Sequence, residues 1–267
     1  MGNGVRVLLA LFFLAGVSCA EESWSLVWSD EFGAPDGSAP DSRRWTPLVT
    51  GSGCGNNELE YYTDRLQNVR VENGCLVLEA HKERYQGRDG SRAYTSGRVH
   101  SSGKFSVKHG RVEARIRVPE GRGLWPAFWM LGDDRATVGW PECGEIDIME
   151  VIGQEPRVYH TTLHGPGYSG AKGVTRKHTL DTSLGRDFHV YGLQWGPKAV
   201  EFFLDGKKMG ELTPADIPPG ESWVFEHPFY LILNLAVGGN WPGSPDDETT
   251  FPSRMEVDWV RVYRLER

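Results

Sequence analysis

In the stretch Arg111-Val-Glu-Ala-Arg-Ile-Arg-Val118, apolar and charged residues alternate strictly. Val112, Ala114, Ile116 and Val118 then share one face, and this period of two is the pattern of a half-buried strand. Val69-Arg-Val-Glu-Asn-Gly-Cys-Leu-Val-Leu78 reads as a hairpin turning at Asn73-Gly74, and Ala199–Lys208 repeats that logic at Asp205-Gly206. Further strands are expected over Phe188–Trp195, Phe229–Val237 and Met255–Arg264. With 33 Gly and 16 Pro as punctuation, no helical period outlasts a turn or two. Many strands in one run without linker, repeat or low-complexity tract imply an all-β chain of two packed sheets, a sandwich or jelly roll.

Composition removes several function classes. The 30 aromatic residues among 267 exclude a disordered chain. A formal charge of −7, with no cluster of Lys and Arg, argues against an electrostatic nucleic-acid binder. The one long apolar run is Val7–Val17, preceded by Arg6 and followed by Ser18-Cys19-Ala20. That layout is a secretory signal peptide over residues 1–20, leaving 21–267 as a single domain and no transmembrane segment once it is removed. Gly16-Val-Ser-Cys19 also resembles a lipoprotein box, but it lacks the usual Leu three residues before the cysteine, so free secretion is favoured over lipidation at Cys19. Beyond the leader stand Cys54, Cys75 and Cys143, an odd number that admits at most one bridge; no Cys-x-x-Cys is present.

The chemistry concentrates in Gly144-Glu-Ile-Asp-Ile-Met-Glu-Val151. Three acids in an otherwise apolar strand each face a desolvation cost of several kcal/mol if unpaired. Alternation puts Glu145 and Asp147 on one face and turns Ile146 and Ile148 to the core, but it would send Glu150 inward. A β-bulge at Ile148–Met149 absorbs one residue and returns Glu150 to its partners. Four effective strand steps separate the glutamate Cα atoms by roughly 13 Å. Side chains leaning together could approach the ~5–5.5 Å of a retaining glycosidase pair. Glu145 is then the nucleophile, Glu150 the acid/base, and Asp147 the group that orients Glu145 and separates their protonation states. The competing readings are a cation cradle, for which a strand face offers too few ligands, and a solvated strand edge.

Aromatic neighbours favour catalysis on sugar. Trp125 and Trp129, four apart in Gly123-Leu-Trp-Pro-Ala-Phe-Trp-Met-Leu-Gly132, share a strand face, and Trp241 lies in the loop Gly238–Gly243. Indoles beside carboxylates suit pyranose rings, whose C–H faces stack while their polar edges fix orientation. Trp45 and Trp259 are expected in the core. His160 and His164 lack the helical His-Glu-x-x-His context of zinc, and Gly165-Pro-Gly-Tyr-Ser-Gly170 matches a dinucleotide fingerprint only formally.

Four segments together resemble glycoside hydrolase family 16, in its laminarinase-like endo-β-1,3-glucanase branch: Gly55–Thr63, Gly123–Leu131, Glu145–Glu150 and Asn234–Pro242. The resemblance spans Trp24 to Arg264 and implies a concanavalin-like β-jelly roll with a concave cleft. It also implies hydrolysis of β-1,3-glucan with retention and no catalytic cofactor, by a monomer whose partner is the polysaccharide. It places Asn57, Arg98, Trp125, Trp129, His164 and Trp241 along the sugar subsites. By analogy a structural calcium would be held by Glu31, the Gly74 carbonyl and Asp258. Cys54 stands where many relatives carry tryptophan, and a Cys54–Cys143 bridge is a possible replacement constraint. Mixed-linkage β-1,3-1,4-glucan or another polysaccharide such as a galactan are rival substrates, and a non-catalytic β-glucan-binding protein is the rival class.

Overall fold

The computed structural model describes residues 23–266, so the leader expected over 1–20 and Cys19 lie outside the described residues. Two antiparallel sheets face each other across one apolar core. The eight-stranded back sheet runs in the order Lys207–Leu212, Ala199–Leu204, His189–Gly196, Gly110–Arg117, Ser253–Leu265, Cys75–Ala80, Val69–Glu72, with Trp24–Asp30 also pairing to Ser253–Leu265. The seven-stranded front sheet runs Val174–Thr179, Val158–His164, Glu145–Glu150, Leu124–Gly132, Phe229–Val237, Arg98–His100, Thr46–Pro47. Runs of consecutive strands in each sheet are joined by pairings between segments distant in sequence, such as Gly110–Arg117 with Ser253–Leu265 and Leu124–Gly132 with Phe229–Val237, the crossed connectivity of a jelly roll.

Local sequence explains the elements. Val112, Ala114, Ile116 and Val118 are all buried, as strict alternation requires. Both hairpin turns place two consecutive residues at positive φ: Asn73 at 53° and Gly74 at 72°, Asp205 at 50° and Gly206 at 77°. This backbone matches the right-handed strand twist, and Asn-Gly or Asp-Gly adopts it at little cost. The front-sheet strand Phe229–Val237 is buried on both faces and reads as a continuous apolar run broken only by Asn234. Trp45 is in the core as expected. Trp259 is not: it points outward, half-buried, with the Arg261 guanidinium 4.1 Å from its ring centroid. A cationic cap lets an indole sit at the surface with one face still covered. Gly165–Gly170 forms a turn followed by a three-residue 3₁₀ segment, Gly170–Lys172.

Glu31, Gly74 and Asp258 fall near one junction of the back sheet. Trp24–Asp30 and Cys75–Ala80 flank successive parts of the same strand, with Asp30 opposite Val260 and Leu76 opposite Val257. The side chains are arranged for arginine, however. Glu31 accepts two hydrogen bonds from Arg261, at 3.0 and 2.8 Å, and Asp258 accepts one from Arg115 at 2.6 Å. Each carboxylate already faces a cation, so as arranged this donor set does not fit calcium. The suggested Cys54–Cys143 bridge is also absent: Cys54, Cys75 and Cys143 are all free thiols. Cys143 is packed with Leu131, Tyr230 and Ile232, whereas Cys54 lies in the loop above the other end of the front sheet.

Candidate active site

The strand Glu145–Glu150 carries the irregularity that its composition demands. Against Leu124–Gly132 its register runs Glu145 to Leu131, Ile146 to Met130 and Asp147 to Trp129, then resumes with Met149 to Phe128 and Glu150 to Ala127. Ile148 has no opposite number. The other neighbour slips at the same place, between Asp147 and Glu150. The extra residue lets Ile146, Ile148 and Met149 all enter the core while Glu145, Asp147 and Glu150 emerge on one side. A regular strand could not do both.

Each acid has a defined setting. The adjacent strand Val158–His164 places His164 opposite Glu145 and His160 opposite Glu150. His164 Nε2 lies 3.1 Å from Asp147 Oδ2 and 3.7 Å from Glu145 Oε1. Its ring fits because residue 173 is glycine, where a Cβ would come within 2.4 Å of the imidazole. Asp147, 2% exposed, is hydrogen-bonded to Glu145. Trp125 Nε1 donates to Glu150 Oε1 at 3.2 Å, and the Trp140 indole donates to Glu145.

The buried Asp147 and the part-buried Glu145 and Glu150, with few cations near them, hold protons well past the usual carboxylate range. Burial, then the charge of Asp147, push Glu145 up to about 8. Burial pushes Asp147 up to about 8 as well. Glu150 is raised well above its ordinary value by burial and by the charges of Asp147 and Glu145. The group therefore holds protons through neutral pH and gives them up one at a time, because each new charge raises the remaining carboxyls. A protonated and an ionised carboxyl thus stand side by side as it titrates.

The residues expected along the sugar subsites gather around this trio. Trp125 and Trp241 meet edge to face, with ring centroids 5.5 Å apart, and Trp241 also packs on His160 at 4.9 Å. Arg98, opposite Asn234 in the register, lays its guanidinium 4.7 Å from the Trp129 centroid, and Trp129 Nε1 donates to Asn234 Oδ1 at 2.7 Å. Asn57, in a left-handed turn with φ of 56°, donates to Asn240 Oδ1 at 2.9 Å beside Trp241. All six stand on the front sheet or the loops at its edge, on the side of the acids.

Three neighbours escape a motif-based reading. Trp140, 44% exposed, sits in a loop where alternation says nothing. His160 is legible only once its strand is paired with the acidic one. Asn234 did carry a signal, being the one polar residue among nine in Phe229–Val237.

Comparison with known proteins places this geometry. The family model described as glycosyl hydrolases family 16 matches residues 57–261. A beta-glucanase of Rhodothermus marinus is 44% identical over 251 residues, covering 90% of this chain and 85% of the relative. The solved endo-beta-1,3-glucanase from Pyrococcus furiosus is 48% identical with a TM-score of 0.88, covering 92% of this chain and 96% of that one. The catalytic domain of the laminarinase from Thermotoga petrophila RKU-1 superposes with a TM-score of 0.87 at 45% identity, covering 92% and 100%. With the match running through both sheets and the acidic strand alike, the chain belongs to glycosyl hydrolase family 16.

Proposed function

We propose that this protein is an exported endo-β-1,3-glucanase that cuts laminarin-type glucan with retention of configuration. The bulge at Ile148 carries the reading, because it turns Glu150 to the side of Glu145 and Asp147 while keeping the isoleucines in the core. In the first step the Glu145 carboxylate attacks the anomeric carbon, and the protonated Glu150 gives its proton to the departing glycosidic oxygen. A covalent glycosyl ester on Glu145 results. In the second step the Glu150 carboxylate takes a proton from water, the hydroxide attacks the same carbon, and Glu145 leaves as carboxylate. Asp147, hydrogen-bonded to Glu145, holds the nucleophile in orientation, and its charge sets how tightly Glu145 keeps a proton. Trp125, Trp129 and Trp241 offer stacking faces, while Asn57, Arg98 and His164 offer polar contacts to hydroxyls.

Proton NMR of the first anomer released from laminarin tests substrate and stereochemistry together; the β-anomer is expected, and the α-anomer would overturn the scheme. Reducing-sugar release compared across laminarin, lichenan and agarose separates β-1,3-glucan from mixed-linkage glucan and galactan. Binding of laminarin without any hydrolysis would make the protein a recognition module instead.

Export through cleavage before Glu21, leaving one catalytic domain over 21–267, belongs to the same reading. Among the described residues no helix is long and apolar enough to cross a membrane. N-terminal sequencing of the exported protein tests the cleavage, and light scattering tests the monomer. Calcium at Glu31, Gly74 and Asp258 enters only through the resemblance. A melting temperature that falls by several degrees on chelation would support it, and an unchanged melt would assign the junction to its arginine pairs.

A further inference from the structure

Behind the sugar-facing tryptophans lies a second acid pair that hydrolysis does not use. Glu58 and Glu60 are 5% and 1% exposed, and among the described residues neither forms an ion pair. Two buried carboxyl groups two residues apart without a paired cation cannot both ionise at low cost; the pair holds a proton. Glu60 is the better holder. Its Oε2 accepts the Val237 N–H at 2.7 Å, while Glu58 Oε2 accepts the Tyr62 hydroxyl at 3.1 Å. Burial and the neighbouring Glu58 both raise the Glu60 carboxyl well above its ordinary value. The other ionisable groups facing the pair are Tyr62, Cys54 and Arg98, of which only Arg98 is a cation.

Two hydrogen-bonded arms run from this pair to the cleft. In the first, the Tyr62 hydroxyl accepts Asn234 Nδ2 at 3.3 Å, and Asn234 Oδ1 accepts Trp129 Nε1 at 2.7 Å. In the second, Leu59 N–H donates to the Val237 carbonyl at 2.8 Å, alongside the bond from Val237 N–H to Glu60. The zipper continues with Asn240 N–H donating to the Asn56 carbonyl at 2.8 Å and Asn57 Nδ2 donating to Asn240 Oδ1 at 2.9 Å. Trp241 follows directly. Residues 56–62 are thus laced to 234–240, and both arms end on groups that face the sugar.

We propose that the Glu58–Glu60 pair is a positioning unit of the glucan cleft, whose single proton holds Trp129, Asn57 and Trp241 in place and whose loss slackens them. The roles of those three residues rest on the glucanase reading. Removing the proton puts two carboxylates side by side in a poorly solvated site, where repulsion is far stronger than in water. Relief requires one of them to swing away, releasing either Tyr62 or Val237. Losing one such bond corresponds to about a two- to tenfold weakening of glucan binding.

Glu60→Gln is the decisive variant, because its amide oxygen can accept from Val237, with nothing left to titrate. For the wild type, KM for laminarin oligosaccharides should rise about two- to tenfold as pH moves into the alkaline range. In Glu60→Gln, KM should stay flat while the kcat limb set by Glu150 remains. An equal rise in KM in both proteins would overturn the proposal. Should Glu60→Gln fail to fold, Glu58→Gln should shift the KM rise to lower pH, since Glu60 then ionises without a charged neighbour; an unmoved limb is again fatal. A readout independent of hydrolysis is the protonated-carboxyl C=O stretch in pH-difference infrared spectra. It should survive in Glu145→Gln and lose one component in Glu60→Gln, even if laminarin proves not to be the substrate. A spectrum identical in the Glu60 variant would refute the proton of the pair itself.

Discussion

The two sheets treat their acids in opposite ways. On the outer face of the back sheet the acids meet arginine or lysine: Glu113 with Arg111, Glu256 with Arg117, Asp258 with Arg115 at 2.6 Å, Glu79 with Arg70 at 2.7 Å and Arg254 at 2.9 Å, and Glu201 and Glu211 with Lys208. On the front sheet Glu145, Asp147 and Glu150 have mainly each other, with His164 the nearest basic group. Ion-paired acids of the first kind are electrostatically quiet, whether part-exposed like Glu256 or buried like Glu79. Crowded acids of the second kind, without such a cation, carry a standing cost that a purely structural sheet would have no reason to keep. The cost is the signature of chemistry: carboxyls that are uncomfortable ionised are the ones that can give, take and hold protons near neutral pH.

If that contrast is right, neutralising an acid has opposite consequences on the two sides. Glu145→Gln or Glu150→Gln should lower kcat on laminarin by at least about a thousandfold while laminarin binding persists. Near-normal turnover in Glu145→Gln would remove it as nucleophile. The pH profile carries a sign. Glu150 acts as acid only when protonated, and its folded value is raised, so activity falls as pH climbs through that value. A Glu150→Gln enzyme that kept the same alkaline limb would exclude it from the acid/base role. Glu256→Gln, on the back sheet, should leave kcat unchanged.

The next effect is on stability, and its direction is the less intuitive one. Glu145 is raised from 4.5 to about 8 on folding, so the native state holds a proton that the unfolded state has released near neutrality. Stability from this group is therefore complete below pH 4.5 and drains away as pH rises toward 8. Glu145→Gln should stabilise the protein by about 1–3 kcal/mol at pH 7 to 8, and by close to nothing at pH 4. Urea unfolding at the two pH values measures the difference. A destabilised variant at pH 8 would mean that the trio is compensated after all.

How much of this was readable beforehand depends on the kind of interaction. The two Gly-containing turns and the strand Arg111–Val118 are local, and period and turn chemistry disclose them. The bulge was legible too, because three acids and three apolar residues in six positions fit no regular strand. Pairings between distant segments were not. The wrong Cys54–Cys143 bridge came from judging proximity by motif, when the front sheet puts these residues toward different ends. Trp259 was misplaced because an outward indole under Arg261 needs the neighbouring strand position to be known as exposed. Arg115 and Arg261 occupy the carboxylates expected to hold calcium, and no spacing in the chain announces partners 143 and 230 residues away. The Glu58–Glu60 pair lay inside a recognised segment, yet a sequence motif does not distinguish a carboxyl facing sugar from one facing a strand end.

Trp129 and the back-sheet arginine pairs set the lower end of the scale. Trp129→Ala should raise KM about two- to tenfold with a smaller change in kcat, because one stacking face is lost while the acids stay put. A fall in kcat with KM unchanged would mean that the indole supports the acids rather than the sugar.

The smallest effect is the one that most sharpens the contrast. The Glu256 and Arg117 side chains retain 20% and 40% exposure, so water screens the pair in both states. Glu256→Gln should cost only about 0.2–1 kcal/mol, and the loss should shrink further in high salt. The Glu145→Gln gain should resist salt better, because Glu145, though 16% exposed, is raised chiefly by desolvation and not by an ion pair that mobile ions screen. Urea unfolding of both variants at low and high ionic strength reads the two signs and the two salt responses in one experiment. Equal salt sensitivity would mean that the acids of the two sheets differ only in degree of exposure, and the distinction drawn between quiet and working carboxyls would go with it.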